Sequence, residues 1–297
     1  MAVSVADPPQ AVQKTLLTRR NFLLGSATAG AGLALYSSEF ARHEIGIVTL
    51  NVELAKLPDA FHGYRIAQIS DIHFDEYTEP SFVRRVVGEV NRLAPDLVLL
   101  TGDYISNSPL GQNFAAGAML RCAEALSELA CPLRFAVMGN HDSILGPPLI
   151  RAGLATASIP LLFNQHVAIE RNGQRLWVAG IADPLSNVPN LGVAVPANPD
   201  GPVLLLCHAP DYADNVLAHP RGSLVDLMLS GHSHGGQIRL PIIGALHRAN
   251  GGRKYVQGLF RLGQMQLYVN RGIGTVGLPF RLNCPPEITL FMLTRQG

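Results

Sequence analysis

The apolar residues of this chain fall into short, nearly unbroken runs, and each run ends in a polar cluster. Five runs of four to six residues stand out: 64–69, 97–100, 133–138, 203–207 and 224–229. Apolar runs of this length between turn-forming residues are typical of strands buried on both faces. We therefore interpret these runs as strands of one sheet system.

Helical patterns lie between the predicted strands. The spacing predicts helices over 81–93, with Ser81 as the N-cap and Pro95 beyond the end, and over 114–129. This alternation predicts an α/β protein with mostly parallel strands. The stretch 187–202 is rich in Asn, Pro and Gly and predicts a long loop, and further strands complete the sheet layers over 255–260, 266–269 and 288–293.

The N-terminal segment has a different composition. Residues 18–23 read TRRNFL, and an uncharged stretch follows over 22–38. Paired arginines before a short apolar region resemble a twin-arginine (Tat) export signal. The alternative is a chance Arg-Arg pair before a membrane anchor, although the apolar stretch is shorter than the roughly 20 residues that span a bilayer.

We divide the chain accordingly into residues 1–40, a signal or membrane anchor, and residues 41–297, a single folded domain. The signal predicts export across the cytoplasmic membrane by the Tat machinery. The mature protein is then periplasmic, associated with the cell wall, or tethered to the membrane if the signal is not cleaved.

Composition narrows the function classes. Hydrophobic residues make up 47% of the 297 residues, which excludes a disordered chain. A net charge of +1 gives no electrostatic attraction to nucleic acid, so we expect no specific nucleic-acid partner. The four cysteines form no C-x-x-C pair, which argues against a structural zinc knuckle.

Residues that commonly bind metals follow all five apolar runs: Asp71-Ile72-His73, Gly102-Asp103, Gly139-Asn140-His141-Asp142, His208 and Gly231-His232-Ser233-His234. Ligands of α/β sheets bind at the carboxyl ends of the strands, so the five clusters are expected to converge. Carboxylate and imidazole ligands without thiolate favour Mn, Fe or Zn. Taken singly, each cluster is also typical of a turn or of a satisfied buried histidine; the ordered set indicates a two-metal site.

The ordered motifs D-x-H, G-D, G-N-H-D, an isolated His and G-H-x-H resemble those of the calcineurin-like metallophosphoesterases. The resemblance extends from Gly63 to the C-terminus, and residues 231–244 and 268–288 are similar to the exported bacterial branch. It implies a four-layer α-β-β-α sandwich. It also implies two divalent metal ions, the first held by Asp71, His73 and His234, the second by Asn140, His208 and His232, with Asp103 bridging both.

The same resemblance assigns catalytic roles to His141 and Asp142. His141 would contact the phosphate and help the leaving group depart, and the Asp142 carboxylate would favour the protonated imidazole. The implied reaction is hydrolysis of a phosphoester, with a phosphodiester preferred, by in-line attack of a metal-bridging hydroxide.

Two alternatives stay open. One is a hydrolase similar to the UDP-2,3-diacylglucosamine pyrophosphatases of lipid A synthesis, whose nucleotide substrate is cytosolic and thus disagrees with export. The other is a non-catalytic metal-binding module, against which the full set of ligands argues.

Overall fold

The computed structural model describes residues 18–75, 77–107 and 110–295. Residues 1–17 of the predicted signal segment and residues 296–297 at the end of the predicted domain lie outside the described residues. The described helices are α1 (Arg19–Leu35), α2 (Pro80–Arg92), α3 (Gly111–Ser127), α4 (Gly146–Thr156), α5 (Leu191–Ala194) and α6 (Ala213–Ala218).

Thirteen strands occur in the described residues. They are β1 (Gly46–Leu54), β2 (Arg65–Ile69), β3 (Leu97–Leu100), β4 (Arg134–Ala136), β5 (Gln165–Arg171), β6 (Gln174–Gly180), β7 (Val203–Leu206), β8 (Leu227–Ser230), β9 (Arg239–Leu240), β10 (Gly244–Ala245), β11 (Gly258–Leu262), β12 (Met265–Val269) and β13 (Glu287–Arg295).

The strands form two large sheets and a small hairpin. The first sheet has the order β1-β13-β2-β3-β4, the second has the order β11-β12-β8-β7-β6-β5, and β9 pairs with β10. Strands β2, β3 and β4 run parallel to one another, as do β6, β7, β8 and β12. All five strands predicted to end in polar clusters are therefore parallel to at least one neighbour, and β2 also pairs antiparallel with β13.

Three apolar layers hold the sheets and helices together. One side of the first sheet packs against α2, α3 and α4, through residues such as Val86, Val98 and Ala118. The two sheets pack face to face through residues such as Leu99 and Leu206. The far side of the second sheet is covered by α5 and α6. The result is the four-layer α-β-β-α sandwich that the resemblance implies, and the α/β prediction is confirmed.

Several local predictions need correction. Helix α2 begins at Pro80 with Glu79 as the N-cap residue, so Ser81 is not the cap. Proline suits the first helical position because its fixed φ is already helical and its missing N–H would be unpaired there. The predicted loop 187–202 contains the short helix α5, which Asn190 caps by accepting a hydrogen bond from the Val193 N–H.

The N-terminal helix differs from the others because it buries none of its residues. The Thr18 hydroxyl caps it by accepting from the Asn21 N–H at 3.2 Å. Within the described residues, no helix has both the length and the apolar character that a membrane crossing needs.

Candidate metal centre

The carboxyl ends of β2, β3, β4, β7 and β8 meet where the two sheets face each other. Backbone hydrogen bonds continue past the strand ends: the Asp71 N–H donates to Gly102 O, and the Gly231 N–H donates to His208 O. The Gln68 side-chain amide crosses between the sheets and donates to the Thr101 hydroxyl and to the Ser230 carbonyl, both at 3.0 Å. The loops that carry the polar clusters are thereby fixed to one another.

Five of the predicted ligands have left-handed backbone conformations. Their φ angles lie between 47° and 67°: Asp71, His73, Asp103, His232 and His234. Such angles are uncommon outside glycine, although Asp, Asn and His adopt them more readily than other residues. In each of the motifs D-x-H and G-H-x-H, both predicted metal ligands have this left-handed conformation. Backbone strain of this kind is concentrated at functional sites.

Glycines make room for the two buried carboxylates. A Cβ on Gly139 would lie 2.1 Å from Asp103 Oδ1, and a Cβ on Gly231 would lie 2.2 Å from Asp71 Oδ2. Both distances are impossible for a real side chain. The glycines of G-N-H-D and G-H-x-H are therefore needed because the carboxylates lie directly against the backbone.

The predicted ligands form two adjoining groups. Asp71, His73 and His234 make one group, and Asp103, His208 and His232 make the other; within each, the ligand atoms lie within 4.8 Å of one another, and every residue is buried. Asp103 also approaches the first group, since its Oδ2 lies 3.6 Å from His73 Nε2 and 3.0 Å from His208 Nε2. A carboxylate in this place can contact cations in both groups.

The donor atoms have the properties of metal ligands. The Nε2 atoms of His73 and His234 face each other at 3.0 Å, which requires a proton or a cation between their lone pairs. Asn140 Oδ1 is buried and receives no hydrogen bond within the described residues. His208 donates from Nδ1 to Thr101 O at 2.7 Å, so Nε2, which lies beside Asp103, is the atom at which a metal would replace a proton. The residues present therefore fit a pair of divalent cations.

Burial controls the protonation of these side chains. Burial lowers the pKa of His73, His232 and His234, so all three imidazoles are neutral and competent to bind a cation. Burial alone would raise the pKa of Asp103, but the adjacent His208 outweighs it and holds the pKa of this carboxyl below its usual range. Asp103 therefore remains an anion.

The two predicted catalytic residues occupy different positions. The His141 ring lies edge-on to His73, 4.8 Å between centroids, and its Nδ1 accepts a hydrogen bond from the Asn107 N–H at 3.0 Å. The buried Asp142 carboxylate instead accepts from the N–H groups of Asp103, Tyr104 and Gly139, each at 2.9 Å.

The interpretation of Asp142 as the partner of the His141 imidazole therefore needs correction. Within the described residues, no hydrogen bond or ion pair joins the two side chains, although they are adjacent in sequence. Burial and the charge of Asp103 raise the pKa of Asp142 to about 8, and its amide donors oppose this rise. Asp142 is a positioning residue that fixes the Asp103 and Gly139 loops.

The residues that hydrogen-bond to the ligand side chains could not be identified from the sequence. The Ser106 hydroxyl lies 3.3 Å from His73 Nδ1 and donates to Asp75 Oδ2 at 2.6 Å, so a Ser–Asp pair orients His73. The carbonyl of Asn250 accepts from His232 Nε2 at 2.7 Å. Arg281 is completely buried and donates to backbone carbonyls, including those of Gly274 and Cys284. No sequence motif predicts any of these contacts.

A cavity of about 180 Å³ opens beside the two groups. Its polar wall contains Asp103, His141, His232 and His234, together with His247, which lies outside every motif. Its other wall is apolar and contains Ile238, Leu246 and Val276. A phosphoester with an apolar substituent would match both walls.

Comparison with known proteins agrees with this geometry. The family model for calcineurin-like phosphoesterase matches residues 64–236. The chain is 30% identical to the metallophosphoesterase YkuE of Bacillus subtilis, over 93% of this chain and 98% of that protein. It is 32% identical to the phosphodiesterase YaeI of Escherichia coli, over 94% of this chain and all of that protein.

A further relative is the UDP-2,3-diacylglucosamine pyrophosphatase LpxG of Chlamydia trachomatis, which is 28% identical over 82% of this chain and 88% of that protein. The matched region includes every one of the five polar clusters at the strand ends. The protein is a metal-dependent phosphoester hydrolase, and it belongs to the calcineurin-like phosphoesterase family.

Proposed function

We propose that the protein is a phosphodiesterase whose centre binds two divalent cations. Asp71, His73 and His234 would hold one cation, and Asn140, His208 and His232 the other. The observation that carries this proposal is the position of Asp103, whose carboxylate lies against both groups. The absence of thiolate from the two groups favours Mn, Fe or Zn.

Two such cations supply Lewis-acid stabilisation of the phosphate oxygens and a water of lowered pKa. The protein supplies the preorganised site. Asp71 and Asp103 provide negative charge, the neutral imidazoles provide nitrogen lone pairs, and the positive-φ loops hold these groups at the cavity floor.

His141 is suited to donate a hydrogen bond to the substrate. The Asn107 N–H points at His141 Nδ1, so the neutral ring carries its proton on Nε2. Protonating Nδ1 as well would break this hydrogen bond. We therefore infer that His141 donates from Nε2 to a phosphate or leaving-group oxygen, where it stabilises developing negative charge.

A diester preference agrees with the walls of the cavity. No Lys or Arg occurs among the described residues that line it. A monoester dianion would gain from additional cationic side chains, whereas a diester monoanion needs less compensation. The similarity to the Escherichia coli phosphodiesterase YaeI supports the same preference.

A second candidate is pyrophosphate hydrolysis in a lipid-linked nucleotide such as UDP-2,3-diacylglucosamine. The apolar wall of Ile238, Leu246 and Val276 beside the ligand groups favours a substrate that carries apolar substituents. Similarity to LpxG is in line with this candidate. A diester panel that includes nucleotide pyrophosphates would separate the two activities.

We further propose that residues 1–40 form a Tat-type signal, and that the protein acts outside the cytoplasmic membrane or tethered to it. The paired Arg19 and Arg20 at the start of an exposed helix support this. Replacing both with lysine should leave the protein in the cytoplasmic fraction. Unchanged export would contradict the proposal.

The decisive test uses Asp103→Asn in the full chain. We expect the purified wild type to contain two metals and to hydrolyse bis(p-nitrophenyl) phosphate with Mn²⁺, and the variant to lose both properties. Asp226→Asn is the matched control, because Asp226 accepts from the Val203 N–H at the amino end of β7, away from the centre. Two bound metals without hydrolysis of any phosphoester would instead favour a metal-binding module.

A further inference from the structure

A strongly apolar surface projects beside the cavity. Strands β9 and β10 form a hairpin, and the side chains at and beyond its turn are exposed: Ile242 (109%), Ile243 (68%) and Leu246 (56%). Leu278 is also exposed, on a loop that is fixed to the residue before the hairpin, because the Gln237 amide donates to Leu278 O at 2.9 Å. We name these four residues the apolar tip.

The backbone of the apolar tip is strained. Ile242 has a φ of 68°, which is a strongly unfavourable angle for a β-branched residue. The side chain gains no burial in return, because it is fully exposed. The angle belongs to a tight turn that the Ile243 N–H closes by donating to Pro241 O at 2.7 Å, and this turn keeps the apolar side chain of Ile242 directed outward.

The charged residues in the sequence around the apolar tip are all basic. Residues 227–286 contain no Asp or Glu, and they contain seven basic residues: Arg239, Arg248, Arg253, Lys254, Arg261, Arg271 and Arg281. Arg248 is exposed directly after the hairpin. Within the described residues, no carboxylate forms an ion pair with the guanidinium of Arg248 or Arg253, whereas the Arg253 backbone N–H donates to Asp211 and Lys254 pairs with Asp214. Apolar side chains next to unpaired cations match an anionic lipid surface, in which acyl chains lie beneath negative headgroups.

The position of the hairpin relates this surface to the cavity. Ile238 and Leu246, at the two ends of the hairpin, line the cavity. The Arg239 N–H donates to Leu282 O, and the neighbouring Arg281 N–H donates to Ser37 O, directly after α1. The hairpin and the end of the exposed N-terminal helix are thus both attached to the segment 281–282.

We propose that the apolar tip inserts into the interfacial layer of an anionic bilayer and turns the cavity mouth toward the membrane. Insertion requires neither bound metal nor hydrolysis, so the inference does not depend on the proposed function. Its failure would leave the phosphodiesterase assignment intact, and failure of that assignment would leave the docking surface intact.

The test must report on the hairpin itself, because the exposed helix α1 also offers apolar side chains. We would place a nitrobenzoxadiazole label on Ile243→Cys in the full chain; the four native cysteines are buried and leave the new thiol accessible. The matched control is the same label on Leu120→Cys, since Leu120 is 59% exposed on α3. Vesicles of phosphatidylcholine are compared with vesicles that also contain phosphatidylglycerol.

We expect a blue-shifted emission and quenching by doxyl-labelled lipid at position 243, but not at position 120. Arg248→Gln should weaken the response to anionic vesicles about fivefold, the effect of one basic residue near an anionic surface. Ile242→Gly should weaken it about tenfold by removing the side chain. Glycine adopts this backbone angle freely, so the second variant preserves the fold.

Three outcomes would overturn the proposal. The first is no response at position 243, and the second is an equal response at both positions, which would indicate unspecific adsorption. The third is a blue shift that develops with protein concentration in the absence of vesicles. That result would mean that the apolar tip docks against a second copy of the chain.

Discussion

Replacing Gly139 with alanine should disable the centre without removing any ligand. The new Cβ would lie 2.1 Å from Asp103 Oδ1 and 2.7 Å from the Asp103 backbone nitrogen. Because ordinary contact begins at 3.4 Å, the carboxylate must move by about 1.3 Å, and the nearby backbone prevents a simple rotation. A misplacement of about 1 Å at a catalytic group costs on the order of 100-fold in rate.

The assay measures kcat on bis(p-nitrophenyl) phosphate and the metal content of the purified protein. We expect Gly139→Ala to lower kcat about 100-fold and to reduce the metal content below two ions. Gly88→Ala is the control, because a Cβ there meets nothing within 4 Å. Circular dichroism of both variants would show whether the fold is retained. A folded Gly139→Ala protein with two metals and wild-type kcat would refute the placement of Asp103 against the Gly139 backbone.

Three further predictions follow from contacts around the centre and at the surface. Ser106→Ala should weaken metal binding about 10- to 100-fold, measured by calorimetry, because it removes the link between His73 and Asp75; unchanged affinity would exclude an orienting role. Burial raises the pKa of Glu79, but its hydrogen bonds, including those from His43 and Arg42, outweigh this and lower the pKa below 4.5. The stability that Glu79 contributes is therefore present above pH 4.5 and lost as the pH falls through the lowered pKa. Chemical denaturation should show that the free energies of unfolding of wild type and Glu79→Gln converge in acid. A difference that stays constant with pH would contradict the ion pairs. Burial raises the pKa of the Cys122 thiol, and all four cysteines are buried, so Ellman's reagent should react with no thiol of the native protein and with four after unfolding in guanidinium.

The strands predicted from unbroken apolar runs that end in polar clusters are mostly buried on both faces, whereas the strand predicted over 255–260 corresponds to the half-exposed β11. Strands β3 and β7 are completely buried and read as unbroken apolar runs. Strand β1 was missed because exposed and half-buried positions alternate along most of its length, and its partner β13 lies at the other end of the chain. Strand β5 is an edge strand with a mostly exposed surface, which gives no continuous apolar signal.

The convergence of the ligands could be predicted, whereas the direction of neighbouring side chains could not. His141 and Asp142 are adjacent in sequence, but a short 3₁₀ turn directs one toward the cavity and the other into the backbone amides. The partners of His208 and His232 are the carbonyl groups of Thr101 and Asn250. Every residue carries a carbonyl, so sequence alone cannot identify such partners.

The origin of the two ligand groups has a thermodynamic consequence. Asp71, Asp103 and Asn140 follow strands of the first sheet, whereas His208, His232 and His234 follow strands of the second. Each group draws on both sheets, so separating the sheets would destroy both groups. Cation binding is therefore linked to folding: a cation at 100 times its Kd would add about 2.7 kcal/mol to the free energy of unfolding. The melting temperature of the protein should thus serve as a gauge of the metal concentration around it.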